Sequence, residues 1–133
     1  MDYRESRNGN VQLIELAGKM MGDPSSAALV KRVDALLAAG VKMVVMDVSE
    51  VQWMNSQAIS HLIVCLTKLR RTGGDLRLAG VAGKVEYYLR LTKLNTVIRT
   101  FASQQEALES FLNEPPDSSL PQSLAERRMG VAA

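Results

Sequence analysis

The sequence is poor in the residues that build disulfides, metal centres and acid–base catalytic sites. Its one cysteine, Cys65, excludes an internal disulfide, and its one histidine, His61, leaves no cluster of ligands for zinc. A catalytic triad needs a nucleophile, a base and an orienting group in contact, and little here could assemble one. These shortages argue against an enzyme and predict neither a metal ion nor another cofactor.

Long apolar runs and a strong charge excess are missing as well. No apolar run approaches the roughly 20 residues that a membrane-spanning helix needs, and residues 1–7 are polar and charged, unlike a secretion signal. Sixteen basic residues against fourteen acidic ones give a net charge of +2, too balanced to favour nucleic-acid binding. We therefore expect a cytoplasmic protein without an integral membrane segment and without a direct nucleic-acid partner.

The 133 residues, of which 47% are hydrophobic, are sufficient for one globular domain with its own core. The first half predicts a hairpin that turns at Asn8-Gly9-Asn10, followed by a helix that begins at Asp23-Pro24 and ends at Gly40. Residues 41–48 are almost continuously apolar, which is typical of a parallel strand covered on both faces.

The second half continues this alternation of strands and helices. Residues 57–72 form the longest amphipathic stretch, and Ser103 with Glu106 forms a capping box for the last helix. The order predicts an α/β fold, a mixed sheet of about five strands flanked by about four helices. The longest helix is expected to bury Ala58, Ile59, Leu62, Ile63, Leu66 and Leu69. The remaining predicted elements are strands at 75–80 and 97–101 and helices at 83–92 and 103–112.

The composition changes abruptly after Leu112. The next residues, Asn-Glu-Pro-Pro-Asp-Ser-Ser, contain two prolines and nothing to bury. We therefore expect residues 1–112 to form the folded domain and residues 113–133 to form a flexible Pro/Ser-containing C-terminal tail.

Cys65, His61 and the basic residues of the second half have structural or solvent-exposed roles as their simplest interpretation. Cys65 is expected to pack against the core, and His61 to be solvated or interfacial. The basic residues between 68 and 99 outnumber Asp75 and Glu86 and predict a solvated face, with an acidic partner or an anionic lipid as the alternative. These basic residues are Lys68, Arg70, Arg71, Arg77, Lys84, Arg90, Lys93 and Arg99.

The segment at 51–59, Val-Gln-Trp-Met-Asn-Ser-Gln-Ala-Ile, carries the functional hypothesis. We expect the chain to leave its buried strand, cross a short loop from Asp47 to Asn55 and begin its longest helix. Asn55 and Ser56 are both suited to the N-cap position, where a side-chain oxygen accepts a backbone N–H bond and contributes about 1 kcal/mol. Capping alone would account for Ser56.

A helix start is also suited to a regulatory phosphate, because free N–H groups and the positive end of the helix dipole stabilise an anion. Phosphorylation of Ser56 would add about 1.5 to 2 negative charges to a surface that a partner approaches. Apolar contacts around Trp53, Met54 and Ile59 would then be costly, since the phosphate would lose water without a guaranteed counter-charge. The residues leave both interpretations of Ser56 open.

Five motifs carry a family resemblance. They are Leu16-Ala17-Gly18, Val44-Val45-Met46-Asp47, Trp53-Met54-Asn55-Ser56, Gly73-Gly74-Asp75-Leu76 and Leu91-Thr92-Lys93-Leu94. With them the sequence resembles the STAS family (sulphate transporter and anti-sigma factor antagonist), especially the single-domain bacterial anti-sigma factor antagonists. The resemblance covers residues 3–112 and implies a mixed sheet flanked by helices.

The resemblance also implies a protein-binding module of a partner-switching pathway that regulates transcription. In such pathways the unphosphorylated antagonist captures a serine kinase that is also the anti-sigma factor, phosphorylation ends the capture, and a serine phosphatase restores it. Ser56 matches the phospho-acceptor. The partner-binding residues are then expected to be Trp53, Met54, Asn55, Ser56, Gln57, Ile59 and Ser60.

Two residues depart from the family pattern at the helix start. Asn55 replaces an aspartate and lacks its charge, and Ala58 adds a methyl group where glycine permits close backbone approach. The usual acidic residue after the early strand is also hard to place, because Met20-Met21-Gly22 occupies that stretch. The alternative function is a constitutive, unphosphorylated STAS subunit of a stress-signalling or lipid-transport complex.

Overall fold

The computed structural model describes residues 2–21 and 26–116. Strands and helices alternate as the sequence predicts. In chain order they are β1 (Asp2–Asn8), β2 (Val11–Met20), α1 (Ala27–Ala38), β3 (Met43–Met54), α2 (Ser56–Arg71), β4 (Asp75–Ala79), α3 (Gly83–Leu91), a short 3-10 helix (Leu94–Thr96), β5 (Arg99–Thr100) and α4 (Gln104–Asn113). The predicted helix start at Asp23-Pro24 and tail residues 117–133 lie outside the described residues.

The five strands form one mixed sheet in the order β1-β2-β3-β4-β5. The β1–β2 hairpin is antiparallel, and the three other pairs are parallel. Gly9 turns the hairpin with a φ of +63°, a conformation that glycine adopts at little cost. Each parallel pair needs a crossover, and α1, α2 and α3 supply them. The predicted α/β fold, with five strands and four helices, is confirmed.

Helices cover the two faces of the sheet unequally. The buried sides of α1, α2 and α3 join side chains of β2, β3 and β4 in the larger core. On the opposite face α4 places Ala107 and Phe111 against Val11, Leu13 and Val45. Coverage of both faces explains why residues 43–48, at the start of β3, are apolar except for Asp47.

Glycines end the first two helices as predicted. The N–H of Gly40 donates to the carbonyl of Leu37 and the N–H of Val41 to that of Leu36, at 3.0 and 2.9 Å. These are the two bonds of a Schellman cap, which needs a positive φ, and Gly40 has a φ of +87°. α2 ends in the same way at Gly73, so both crossover helices return the chain sharply to the sheet.

The predicted buried side of α2 is correct except at one position. Ile63 was expected to be buried, but its side chain is 43% exposed. The buried stripe passes instead through Leu62, Cys65 and Leu69, because these positions recur on the side of the helix that faces the sheet. Cys65 is fully buried, which confirms its predicted packing role.

Several predicted boundaries differ from the structure, and two of the differences bear on the site and on the predicted tail. β3 was expected to end at residue 48 but continues to Met54. α4 was expected to end at Leu112 but includes Asn113, and the carbonyl of Glu114 accepts a hydrogen bond from Arg77 at 2.7 Å. The first residues assigned to the tail are therefore bound to the domain.

Candidate functional site

β3 carries the chain directly to the start of α2, so the predicted loop between Asp47 and Asn55 is wrong. β2 runs beside β3 as far as Met54, and the extra length of β3 therefore has a partner strand. Val51 and Met54 anchor this extension in the core at 7% and 3% exposure. The pairing of β3 with β4 ends at Asp47, so the extension projects beyond β4 and delivers α2 at that end of the sheet.

Asn55 fixes the junction between β3 and α2. Its Oδ1 accepts a hydrogen bond from the backbone N–H of Ala58 at 2.8 Å, which makes Asn55 the N-cap. Its Nδ2 donates to the carbonyl of Met21 at 2.7 Å, and its backbone N–H donates to the carbonyl of Met20 at 3.1 Å. An aspartate could accept the capping bond but could not donate to Met21. The asparagine thus uses both ends of its amide to join β2 to α2.

Ser56 is the first residue of α2 and does not serve as its cap. Its side chain is exposed. Within the described part of the chain, its hydroxyl makes no hydrogen bond, and the backbone N–H groups of Ser56 and Gln57 have no acceptor. The hydroxyl therefore lies beside orphan N–H donors at the positive end of the helix dipole.

The predicted partner-binding residues fall into an exposed and a buried set. The exposed set is Trp53, Ser56, Gln57 and Ser60, the buried set is Met54 and Ile59, and Asn55 is half-buried. Met54 and Ile59 are 3% and 9% exposed and belong to the larger core. In this conformation Met54 and Ile59 are therefore closed to direct contact with a partner and can only support the exposed side chains from the core.

The exposed surface of α2 extends from its first residue along one side of the helix. Ser60, Ile63 and Val64 follow Ser56 at helical spacing, with Ile63 43% and Val64 38% exposed. We call Ser56, Gln57, Ser60, Ile63 and Val64 the α2 face. α2 contains no acidic residue, and its basic residues lie in its last turn. The α2 face is therefore uncharged, with an apolar pair about two turns from the Ser56 hydroxyl.

His61 lies half-buried beside the α2 face. Its Nδ1 is 2.7 Å from the Oγ of Ser26, the residue that precedes α1. Ser26 is fully buried, so this serine–histidine pair offers no accessible nucleophile to a substrate. The contact instead joins the start of α1 to α2.

Cys65 is also unsuited to act as a catalytic nucleophile. Burial raises the pKa of its thiol to about 12, so the thiolate that would act as a nucleophile is suppressed at neutral pH. Within the residues that the structure describes, no group of three or more histidine, cysteine, aspartate or glutamate residues could hold a metal ion.

A recess of about 240 Å³ opens beside β2 and β3, with Glu15 and Asp47 in its wall. Gln104 of α4 donates to both carboxylates, at 2.8 Å to Glu15 and 2.5 Å to Asp47. The other oxygen of Asp47 accepts the N–H of Ser49 at 2.8 Å. These acidic groups are thus occupied in holding α4 to the sheet.

Arg77 was assigned to a solvated basic face, but it is 3% exposed. Its guanidinium donates to Asp75 at 3.0 Å and to Ser110 at 2.9 Å, and lies 4.0 Å from the centre of the Phe111 ring. Arg70 also donates to Asp75, at 3.0 Å. The alternating pattern of β4 did not predict that Arg77 is buried, because three of its partners, Ser110, Phe111 and Glu114, come from far along the chain.

Comparison with known families decides the classification. A family model of the STAS domain matches residues 6–107, which run from the end of β1 to the first turn of α4. The chain belongs to the STAS domain family. The family assignment predicted from the sequence motifs is thereby confirmed. The comparison with curated proteins finds no match.

Solved structures share the fold of this STAS chain. A putative anti-sigma factor antagonist from Thermotoga maritima has a TM-score of 0.73 at 22% identity, over 81% of this chain and 92% of its own. An anti-sigma factor antagonist from Mycobacterium paratuberculosis has a TM-score of 0.71 at 19% identity, over 82% and 92%. The phosphorylated Bacillus cell fate determinant SpoIIAA has a TM-score of 0.65 at 12% identity, over 81% and 97%. At these identities the likeness shows the fold alone.

Proposed function

We propose that this STAS protein is an anti-sigma factor antagonist whose binding is controlled by reversible phosphorylation of Ser56. The unphosphorylated protein captures a cytoplasmic serine kinase that is also an anti-sigma factor, phosphorylation releases it, and a serine phosphatase resets the cycle. The chain itself acts as a binding module and not as an enzyme. The observation that carries the proposal is that Ser56 is exposed at the start of α2 while Asn55 provides the cap.

The start of α2 is suited to hold a phosphate. The N–H groups of Ser56 and Gln57 can donate to it, and the helix dipole favours its charge. The first turn contains no acidic residue, so no carboxylate of that turn opposes the new charge. Phosphorylation therefore needs no unfolding of the helix and no exchange of the cap.

The same phosphate would block docking on the α2 face. Ile63 and Val64 offer apolar area next to uncharged polar groups, and a partner that covers them must remove water from the whole face. About 1.5 to 2 added negative charges hold their own hydration shell, and desolvating them without a counter-charge is costly. Phosphorylation would thus change the affinity without changing the fold.

Four neighbouring structures support this proposal. SpoIIAA has been solved in an unphosphorylated form and, as the Bacillus cell fate determinant, in a phosphorylated form, and both share the fold of this chain. The neighbours from Thermotoga and Mycobacterium bear the description of anti-sigma factor antagonist. The fold is therefore compatible with a phosphorylated state and with this class of partner.

The experiment compares capture of proteins from the source cells by wild type, Ser56→Ala and Ser56→Asp. We expect Ser56→Ala to retain the main partner and Ser56→Asp to lose it. Ser6→Asp is the matched control, because Ser6 is exposed on β1 and pairs with Leu13, far along β2 from the end that meets Met54. Equal recovery of one partner by all four proteins would contradict the switch.

Asn55 favours one alternative, a constitutive STAS subunit of a stress-signalling or lipid-transport complex. The side-chain Nδ2 of Asn55 donates to the carbonyl of Met21, a bond that the family's aspartate could not make. The junction between β3 and α2 therefore differs from the one that an aspartate at this position would form. Under this alternative, intact-mass measurement of the protein from its source cells shows no phosphorylated species in any growth phase. Under the switch, a species heavier by one phosphate appears and maps to Ser56.

A further inference from the structure

α3 presents an apolar pair on the side that faces away from the core. Val85 and Leu89 attach the helix to the core and are 3% and 1% exposed. Tyr87 and Leu91, one turn apart, lie on the opposite side and are 57% and 66% exposed. A helix with one buried stripe normally places polar residues opposite it, so a second apolar stripe indicates a contact surface.

Positive charge surrounds this pair. Lys84 and Arg90 flank Tyr87 at three residues on either side, both exposed. The only acidic residue between positions 76 and 105 is Glu86. It lies 3.9 Å from Arg90 with both side chains more than half exposed, so this ion pair is weak and leaves Arg90 able to contact another anion.

We propose that the α3 face, formed by Lys84, Tyr87, Arg90 and Leu91, binds an anionic lipid surface. The tyrosine and leucine protrude from a convex helix, and a bilayer interface accepts such side chains without a preformed groove. The flanking cations would meet the anionic headgroups, which matches the charge of this face. None of the helices among the described residues could span a bilayer.

Sedimentation with lipid vesicles tests the proposal. Vesicles of phosphatidylcholine with roughly 30% phosphatidylglycerol supply the anionic surface, and pure phosphatidylcholine vesicles lack it. At low salt we expect about tenfold more protein bound to the anionic vesicles, and most of this excess lost at about 1 M salt, where the Debye length is short. Equal binding to both vesicle types, or none to either, overturns the proposal.

Paired substitutions locate the contact. Lys84→Gln/Arg90→Gln and Tyr87→Ser/Leu91→Ser should each lower vesicle binding at least about fivefold. The first control is Lys31→Gln/Lys42→Gln, which removes the same charge from exposed positions elsewhere. The second is Ile63→Ser/Val64→Ser, which removes an apolar pair from the α2 face. Equal losses in variants and controls would overturn the assignment to α3.

A Tyr87→Trp reporter in a Trp53→Phe background should show a blue shift of its fluorescence on anionic vesicles, since the ring enters a less polar layer.

The expected vesicle binding does not depend on the phosphorylation switch. Ser56→Asp should bind vesicles as the wild type does. A loss of vesicle binding in Ser56→Asp would place the lipid contact at the α2 face and overturn the proposal for α3.

Discussion

The side-chain oxygen of Asn55 lies 2.8 Å from the backbone nitrogen of Ala58 and accepts its hydrogen bond. This contact settles which of two adjacent polar residues caps α2. Because Asn55 satisfies the helix, the hydroxyl of Ser56 has no structural task and remains exposed. A modification at Ser56 can therefore alter the surface while the helix start stays intact.

Asn55→Ala should destabilise the domain far more than Ser56→Ala. The first removes the cap and the bond to Met21, and should lower the free energy of unfolding by about 1 to 2 kcal/mol. The second removes an exposed hydroxyl and should change it by less than about 0.5 kcal/mol. Urea unfolding followed by circular dichroism gives both values. A larger loss in Ser56→Ala would show that Ser56 supports the helix after all.

Arg77→Met should destabilise the domain by about 3 kcal/mol, because the buried Oδ2 of Asp75 and the buried hydroxyl of Ser110 both lose the hydrogen bond from Arg77, and Arg70 bonds only to Oδ1 of Asp75. Arg77→Lys should restore little of this, since one ammonium cannot reproduce the planar guanidinium contacts. Burial lowers the pKa of Arg77, although Asp75 opposes the change. The control is Arg90→Met, which removes an exposed pair with Glu86 and should cost less than about 0.5 kcal/mol in the same unfolding assay.

Stability should fall at alkaline pH in a way that depends on Cys65. Burial raises the pKa of the Cys65 thiol from 9.0 to about 12, so above pH 9 the unfolded state loses a proton that the folded state keeps. The unfolded state is then favoured, and the free energy of unfolding decreases by about 1.4 kcal/mol per pH unit until the folded thiol titrates. Below pH 9 this group adds no pH dependence.

Cys65→Ala isolates this effect from the titration of lysines and tyrosines. Urea unfolding at pH 8 and at pH 10 gives, for each of the two proteins, the loss in free energy of unfolding between these pH values. We expect the wild type to lose about 1.4 kcal/mol more than the variant between these pH values. Parallel losses in both proteins would mean that the thiol is not protected by burial.

Gly80→Ala should destabilise the domain more than Gly9→Ala. Both glycines have a positive φ, of +70° and +63°. A Cβ at Gly80 would also lie 2.6 Å from the Cβ of Ser49 and 2.7 Å from Oδ1 of Asp47, whereas one at Gly9 would meet nothing within 4 Å. Melting temperatures of the two variants measure the difference, and equal values would show that β3 yields freely beside Gly80.

Local patterns in the sequence were sufficient to predict most of the fold. The glycines at 40 and 73 end their helices where expected, and Ser103 caps α4 with a bond from the N–H of Glu106 at 3.2 Å. These features depend on neighbouring residues, and their physics can be read from a short segment. The alternation of elements then restricted the topology to a mixed sheet.

Features that depend on distant partners could not be predicted in this way. The extension of β3 to Met54 requires β2 to be long enough to pair with it, and the burial of Arg77 requires Ser110 and Phe111 to arrive from α4. At the site, the sequence left Asn55 and Ser56 as equal candidates for the cap. Only the hydrogen bond from the backbone N–H of Ala58 to Oδ1 of Asn55 shows that Asn55 is the cap.

The most direct test of the switch is partner capture by protein carrying phosphoserine at position 56, compared with the same protein carrying serine. Both forms should have the same circular dichroism spectrum, because the cap at Asn55 is unchanged. We expect the serine form to retain a kinase-containing partner from the source cells and the phosphoserine form to retain at least about tenfold less. Equal retention by the two folded forms would contradict control of binding through Ser56.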